Sequence, residues 1–264
     1  MEAPPKGLDR HAYSATMPAM DMPASATLPL PRRTIRAGVE RLSAGIDMPR
    51  HLHVDAYLTL VLRGRYRQLG YAGRLECAAG DIVLQPSFDG HRDEMLSAGL
   101  ELLRLPWRRD LTFGGIYRGL DIEAIRRAAE RDVAEACALA GDAIAAATPI
   151  VAVEDWTDAL ALHLRDGRAR IGELADRLGL AREAMSRGFS RVYGVSPVAY
   201  RNELRARRAA LQILSSDGRL CDIAADAGFA DQAHMTREVR ALTGRPPASL
   251  RTSAAVIARS AWLP

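Results

Sequence analysis

The spacing of apolar residues changes along the chain, and each spacing predicts a different secondary structure. Between 34 and 108, short apolar segments alternate with glycine and proline, which predicts short strands joined by close turns. Residues 121–147 switch to helical spacing, with apolar side chains on one stripe and charged side chains opposite, and Gly141 is a candidate break. Another amphipathic helix is predicted over 156–165, and further helices follow it. The chain is therefore predicted to be β-rich first and all-α afterwards.

The C-terminal third contains an internal repeat, in which the same sequence pattern occurs twice. Each copy has an apolar helix, a glycine turn, a second helix with a basic residue, and a Gly-x-x-Pro stop. The copies begin at Leu174 and Ile223, an offset of 49 residues, and their stops begin at Gly194 and Gly244, an offset of 50. Glycine permits the positive φ that a sharp turn needs, and a helix pair of this kind is typical of a helix-turn-helix that binds DNA.

The second helix of each copy is predicted to bury its apolar side chains and to present polar ones to DNA. Asp231 is placed to cap the start of the second of these helices. Glutamine suits adenine, arginine suits guanine or phosphate, and threonine or alanine can contact a thymine methyl group. The candidate DNA-contacting residues on the two helices are Arg182, Glu183, Ser186, Arg187, Gln232, Ala233, Thr236, Arg237 and Arg240.

The segment between the two copies predicts one rigid helix from 197 to about 214. A helix of ~18 residues is ~27 Å long at 1.5 Å per residue. The second helix of each copy is called its reading helix. Such a connector could hold the two reading helices about one DNA turn apart, ~34 Å, on one face of the protein. Arg201 on this connector is a candidate contact to DNA phosphate.

With this pattern, residues 168–251 resemble the DNA-binding domain of the AraC/XylS family of transcription regulators. The matching positions are Leu174, Ala175, Gly179, Ser186, Arg187, Phe189, Gly194, Ser196, Pro197, Tyr200, Arg201, Ile223, Ala224, Gly228, Phe229, Asp231, Gln232, Thr236, Arg237, Gly244, Pro247 and Arg251. The departures are Ala181 in place of a serine cap, and Met235, Val239 and Leu250 in place of aromatic residues. The resemblance implies that each second helix contacts bases, that the connector braces both units, and that RNA polymerase is a partner.

Three histidines are the candidate chemistry of the strand-rich segment. His51 and His53 would project to the same side of one strand, and His91 from a neighbouring strand could complete three nitrogen ligands for a metal. Their spacing resembles the cupin pattern over about 36–108, which implies a cupin-like β-barrel, but Tyr57 stands where the metal-binding glutamate would be. Sensor domains of the regulator family resemble cupins and often keep His-x-His without a metal, so no metal is expected.

These side chains are expected to line a pocket for an unidentified small-molecule effector instead. The candidate pocket residues are His51, His53, Tyr57, Arg65, Tyr66 and His91. The sequence has no Ser-His-Asp order, P-loop or glycine-rich dinucleotide fingerprint, so we expect no catalytic residues, no enzyme activity and no cofactor.

Charge and cysteine content agree with DNA binding inside a cell. Residues 166–251 contain fifteen arginines and ten acidic residues, a net charge of +5, whereas 110–165 contain five arginines and ten acidic residues, a net charge of −5. The basic end is the end with the repeat, as phosphate binding requires. The three cysteines are isolated, the first residues show no basic region followed by an apolar stretch, and the sequence has no apolar run of about 18 residues. We therefore expect no signal peptide and a cytoplasmic protein with no membrane partner.

The sequence therefore predicts an α+β chain with four parts. These are a disordered or loosely attached tail over 1–30, a cupin-like sensor domain over 31–110, linker and dimerisation helices over 111–165, and a double helix-turn-helix DNA-binding domain over 166–255. The helix over about 122–140 is the candidate surface for a homodimer, and packing against its own barrel fits the same pattern equally well.

We expect a sequence-specific, effector-responsive transcription regulator that binds double-stranded DNA, with activation commoner than repression in the family. The effector signal is expected to pass through the middle helices to the DNA-binding domain or to a partner chain. One alternative is a metal-binding cupin sensor or a cupin enzyme with an appended DNA-binding domain. Another is a nonspecific architectural DNA binder, which would bind all duplexes equally.

Overall fold

A computed structural model of the chain describes residues 30–33, 35–43, 45–46, 48–107, 114–150, 153–167 and 171–252. The strands come first: β1 Arg32–Arg33, β2 Gly38–Ser43, β3 Met48–His53, β4 Tyr57–Arg63, β5 Arg65–Gly70, β6 Gly73–Ala78, β7 Ile82–Gln85, β8 Asp89–Met95, β9 Gly99–Pro106 and β10 Gly115–Tyr117. The helices follow: α1 Ile122–Ala129, α2 Val133–Ala145, α3 Trp156–Arg165, α4 Ile171–Leu178, α5 Arg182–Tyr193, α6 Pro197–Ser215, α7 Leu220–Asp226 and α8 Gln232–Thr243. This order confirms the predicted α+β class.

Some of the predicted boundaries fall outside the described residues, and one differs. The predicted tail, apart from residue 30, and residues 253–255 are not described. Strand β10 lies beyond the predicted end of the strand-rich part at 110, because it pairs antiparallel with β7, with Ile116 opposite Val83. The strand-rich part therefore extends into the segment that the sequence assigned to linker helices.

The strands form two five-stranded sheets. Sheet 1 has the order β1-β3-β8-β5-β6, and sheet 2 has the order β10-β7-β4-β9-β2. Their facing sides share one apolar cluster, in which Tyr66 and Leu75 of sheet 1 are buried with Val61 and Val83 of sheet 2. Among the described strands no hydrogen-bonded pairing joins the two sheets into one, an arrangement compatible with a cupin-like jelly roll.

Helices α1 and α2 cover the outer side of sheet 2. Their buried apolar stripe includes Ile125, Ala128, Ala136 and Ala140, and it packs with leucines of β4, β7 and β9. The stripe that made these helices a candidate dimer surface is thus occupied by the chain's own sheet. The single helix predicted over 121–147 is also corrected to two helices. Its break falls at 130–132, where the side chain of Asp132 caps α2, whereas Gly141 lies buried inside α2.

The remaining helices cover the outer side of sheet 1. Helices α4 and α5 form one helix-turn-helix unit, α7 and α8 form the second, and α6 connects them. The connector has 19 residues, which gives a length of about 28 Å. Leu52 and Phe88 of the strand-rich part are buried in the same cluster as Ala206, Ala209 and other residues of α6 to α8. None of the described helices has the length and apolar content needed to cross a membrane.

Candidate nucleic-acid interface and effector pocket

The two helix-turn-helix units repeat each other down to individual hydrogen bonds. The turn residues Gly179 and Gly228 have positive φ angles of 63° and 82°, as predicted. The residue after each turn glycine makes the same backbone hydrogen bond. The amide of Leu180 donates to the carbonyl of Ala175 at 3.0 Å, and the amide of Phe229 donates to the carbonyl of Ala224 at 2.9 Å. The two copies of the sequence pattern therefore adopt the same helix-turn-helix structure.

The reading helices α5 and α8 also share their pattern of burial. Positions 181–189 and 231–239 show the same succession of exposed, half-buried and buried residues. Met185 and Phe189 of α5 match Met235 and Val239 of α8, and all four are fully buried. The predicted DNA-contacting side chains are at least partly exposed in both helices: Arg182, Glu183, Ser186, Arg187, Gln232, Ala233, Thr236, Arg237 and Arg240.

The two reading helices differ at their starts. The carboxylate of Asp231 accepts a hydrogen bond from the amide of His234 at 2.7 Å, which confirms the predicted cap of α8. Ala181 precedes α5 without any side-chain cap. Since a cap contributes about 1 kcal/mol, the first turn of α5 is the less stable of the two.

Connector α6 presents different residues on its two sides. Arg201, Arg205 and Arg208 line a groove of about 540 Å³ between the two units, together with Asp226 and Gly228. Burial, and then the neighbouring Arg201 and Arg208, lower the pKa of Arg205, so the three guanidinium groups crowd one another. The predicted phosphate contact Arg201 thus lies within a cluster of positive charge that Arg205 and Arg208 complete.

The opposite side of α6 contacts sheet 1 through a buried ion pair. The guanidinium of Arg50 on β3 donates to the carboxylate of Glu203 at 2.6 Å, and the Tyr71 hydroxyl donates to the same oxygen at 3.0 Å. Burial alone would lower the pKa of Arg50, but the Glu203 carboxylate and the neighbouring Tyr71 and Tyr200 together raise that pKa above the ordinary value. The hydroxyl of Tyr200 adds a hydrogen bond to the carbonyl of Gly70 at 2.9 Å.

Two more arginines of sheet 1 contact the C-terminal ends of the reading helices. Arg92 on β8 donates to the carbonyls of Arg191 and Val192 at 3.1 and 3.2 Å, at the end of α5. Arg32 on β1 donates to the carbonyls of Leu242 and Ala241 at 3.2 and 2.6 Å, at the end of α8. A cation at this end of a helix satisfies free carbonyls and complements the helix dipole. Sheet 1 therefore contacts both reading helices at their C-terminal ends.

The sequence signal that could have revealed these contacts is the alternation of side chains between the two faces of a strand. Successive side chains of a strand point to opposite faces, so when His51 and His53 face inward, Arg50 and Leu52 face outward. The same alternation on β8 turns His91 inward and Arg92 outward. The sequence pattern predicts roles for the inward residues but predicts no partner for their outward neighbours.

The candidate effector pocket is a cavity of about 430 Å³ that is lined in part by residues of β1, β2, β3 and β9. Its lining combines two of the predicted residues with arginines that were not predicted: Arg33, Ile35, Arg36, Ala37, Gly38, Val39, Glu40, Met48, His51, His53 and Arg104. The ring of Tyr57 lies against His53, with ring centroids 4.7 Å apart. The ring centroid of His91 lies 4.6 Å from that of His51.

Two of the predicted pocket residues lie elsewhere. Arg65 is on the outer face of sheet 1, where its guanidinium lies 3.7 Å from Glu76 and its side chain is 62% exposed, because it alternates with the inward Tyr66 on β5. Tyr66 is buried between the two sheets with Leu75 and Cys77 and is not among the residues that line the cavity. The structure thus brings together His51, His53, Tyr57 and His91 and separates Arg65 and Tyr66 from them.

The three histidines form a buried cluster with the geometry of a metal-ligand set. One nitrogen of each ring can be chosen so that all three lie within 4.8 Å of one another. Burial, and then the neighbouring His91, lower the pKa of His51 to about 2 and lower that of His53 as well, so both rings are neutral at pH 7. Neutral imidazole is the form that binds zinc, iron or nickel, so these residues fit such an ion.

Comparisons with known proteins agree with the helix-turn-helix geometry. Residues 174–253 match the family described as Helix-turn-helix domain. The chain is 33% identical over 82 residues to the HTH-type transcriptional regulator ExsA of Pseudomonas aeruginosa, and 34% identical over 83 residues to the HTH-type transcriptional activator RhaS of Pectobacterium carotovorum. Each match covers 31% of this chain and 30% of the relative, so the chain spans under a third of the length of these curated relatives.

Two solved structures show a more distant likeness. Fatty-acid-bound ToxT of Vibrio cholerae is 13% identical, with 81% of this chain and 93% of that chain covered and a TM-score of 0.36. A probable AraC family transcriptional regulator of Rhodopseudomonas palustris is 19% identical, with 38% and 98% covered and a TM-score of 0.36.

The paired units, their matching turns and the family match place the C-terminal part of the chain in the helix-turn-helix class of DNA-binding domains. Within that class it is an AraC-type domain, in which two units are joined by one connecting helix.

Proposed function

We propose that this chain is a sequence-specific DNA-binding transcription regulator. The observation that carries the proposal is the pair of reading helices with matched burial and exposed polar faces. The guanidinium groups of Arg182, Arg187, Arg237 and Arg240 make no ion pair with another described residue, so they are available to bases and phosphates. A helix of about 28 Å between the units supports binding to two successive major-groove segments.

The test starts from a random duplex library, because the operator is unknown. The full chain is used to select bound duplexes, and the dissociation constant of a selected duplex is compared with that of a scrambled one at fixed salt. A specific regulator is expected to bind the selected duplex at least about a thousandfold more tightly. Equal affinity for both duplexes would instead identify an architectural DNA binder and remove this proposal.

The effector is proposed to bind in the cavity of about 430 Å³ lined by His51 and His53. A cavity of this size fits a small molecule. Strand β3 supports a direct route to DNA binding, because His51 faces the cavity while Arg50 contacts Glu203 on the connector. This route adds to the expected one through the middle helices, of which α3 packs beside α6 in the same apolar cluster.

We further propose activation as the sign of regulation, with RNA polymerase as the partner at the promoter. The support is analogy with the relative whose name describes a transcriptional activator. A reporter gene placed behind the selected duplex measures the sign of regulation: expression should rise when the chain is produced.

Exposed apolar side chains on α2, such as Val133 and Leu139, support a homodimer, which sedimentation of the full chain would measure.

A further inference from the structure

The turn between β7 and β8 contains a strained backbone conformation. Phe88 has a φ angle of 57°, and it is the one non-glycine residue with positive φ among the residues that the structure describes. A Cβ atom is disfavoured in this left-handed region, and a bulky side chain there is uncommon. Such a conformation persists only where the surrounding structure holds it. The contacts of the turn must therefore stabilise it.

The side chain of Phe88 is buried with the second helix-turn-helix unit. The residue is 4% exposed, and it belongs to the same apolar cluster as Ala206 of α6, Ile223 of α7 and Met235 of α8. Leu52 of β3 is buried in that cluster too. Burial of an aromatic ring gives a favourable free energy that offsets the strained φ. The second unit thus stabilises the left-handed turn.

The same turn also contacts the connector through polar groups. The carbonyl of Ser87 accepts a hydrogen bond from Nε of Arg207 at 2.9 Å. Burial lowers the pKa of Arg207, and the carboxylate of Asp89 is the strongest influence that opposes this. A Cβ atom at Gly90 would lie 2.8 Å from the hydroxyl of Tyr71, which itself donates to the connector. The turn therefore fits closely against α6.

The other end of the turn reaches the wall of the cavity. Nδ1 of His91 lies 3.1 Å from the carboxylate of Asp89. His91 is paired with His51 across β8 and β3, and the two ring centroids are 4.6 Å apart. His51 lines the cavity in which the effector is proposed to bind. Residues 87–91 thus connect the core of the second unit with the cavity.

We propose that the β7–β8 turn is a two-state coupling element, in which Phe88 positions the second reading unit according to the occupant of the cavity. In one state the ring lies in the core of α6 to α8 and φ is positive. In the other state the ring leaves that core, and the backbone of Phe88 relaxes to the extended region. Asp89 moves with it, and its contact to His91 changes. The inference rests on the proposed function, because it links the effector cavity to DNA binding.

The first test measures which unit depends on Phe88. Exchange mass spectrometry of the full chain compares the parent with Phe88→Ala. Loss of the ring should speed amide exchange in α7 and α8 by at least about tenfold and leave α4 and α5 unchanged. Equal changes in both units would overturn the assignment to the second unit.

Leu69→Ala is the matched control for this test. Leu69 of β5 is also buried, but it belongs to the apolar cluster of the first unit, with Leu174 and Phe189. It should therefore give the reverse pattern, with faster exchange in α4 and α5. Circular dichroism shows whether each variant is folded. If Phe88→Ala is unfolded, Phe88→Leu keeps an apolar side chain and takes its place in the comparison.

A third substitution tests the strained backbone. Glycine adopts positive φ freely and alanine does not, so Phe88→Gly should unfold at a higher urea concentration than Phe88→Ala. This is the reverse of the usual order, because glycine normally loses more conformational entropy on folding. A lower urea midpoint for Phe88→Gly would overturn the left-handed conformation on which the two states depend.

The link to the cavity is tested with the duplex selected from the random library. Because coupling between two sites is reciprocal, saturating duplex should slow amide exchange at residues 87–91 of the parent chain by at least about fivefold. The same duplex should leave exchange at these residues unchanged in Phe88→Ala. A bound duplex without slower exchange in the parent overturns the coupling and leaves the proposed function intact. Failure to bind any duplex overturns the proposed function itself.

Discussion

Arg50 and Glu203 form an ion pair across the boundary between sheet 1 and the helix-turn-helix domain, with a nitrogen and an oxygen 2.6 Å apart. The two side chains are 4% and 8% exposed, so solvent screens the pair little. Arg50 is the residue before His51, and the two point to opposite faces of β3. A shift of this strand on the cavity side would therefore act on the connector that holds both reading units.

Breaking this pair should destabilise the folded chain strongly. Arg50→Met leaves the Glu203 carboxylate buried without its cation, which we expect to cost ~3–5 kcal/mol of unfolding free energy. Glu203→Met should cost a similar amount for the converse reason. Urea denaturation of both variants and of the double variant measures the coupling. The double variant should be more stable than the sum of the single losses predicts, and simple additivity would show that the two charges do not interact.

The matched positions Arg187 and Arg237 should both contribute to specific DNA binding. Both are exposed, and each lies two residues after a buried methionine of its reading helix. Replacing either arginine by alanine should cost ~1–3 kcal/mol of specific binding if it contacts a base. Fluorescence anisotropy with the selected and scrambled duplexes distinguishes the roles. A loss of equal size on both duplexes would assign the arginine to phosphate, and Arg126→Ala on α1 is the control for lost charge.

The groove side of the connector should contribute to salt dependence more than to specificity. Arg201→Ala removes one of three clustered guanidinium groups and should lower the slope of log affinity against log salt by about 1, with little change in sequence preference. Binding is measured over a series of salt concentrations for the parent chain, Arg201→Ala and the distant Arg126→Ala. An unchanged slope in Arg201→Ala would remove its assignment to phosphate.

Local sequence patterns predicted the helix-turn-helix units well because the residues that define each turn and each cap lie close together in the sequence. Gly179 and Gly228 identified turns, and Asp231 identified a cap, since each depends on neighbours within one or two helical turns. The pocket was predicted less well. Arg65 was assigned inward although its neighbour Tyr66 takes that side, and the sequence does not state on which face a strand begins.

Contacts between the two parts of the chain were beyond sequence reasoning for a different reason. Arg50 and Glu203 are 153 positions apart, and their pairing depends on how sheet 1 docks on the connector. Each residue alone is typical of a solvated surface. The alternative that the stripe of α1 and α2 packs on its own barrel fits the structure, because that stripe is buried on sheet 2.

The two arginines at the ends of the reading helices should act on their own helix alone. Arg92→Ala removes hydrogen bonds to the carbonyls of residues 191 and 192, and Arg32→Ala removes those to the carbonyls of residues 241 and 242. Each loss should cost ~0.3–1 kcal/mol and speed amide exchange in the last turn of the contacted helix. Exchange mass spectrometry should therefore show faster exchange at the end of α5 in the first variant and at the end of α8 in the second. Glu94→Gln is the control, since it removes an ion pair of Arg92 but leaves both carbonyl contacts in place. Loss of protection in both helices with either variant would mean that sheet 1 docks as one unit, and it would rule out independent caps.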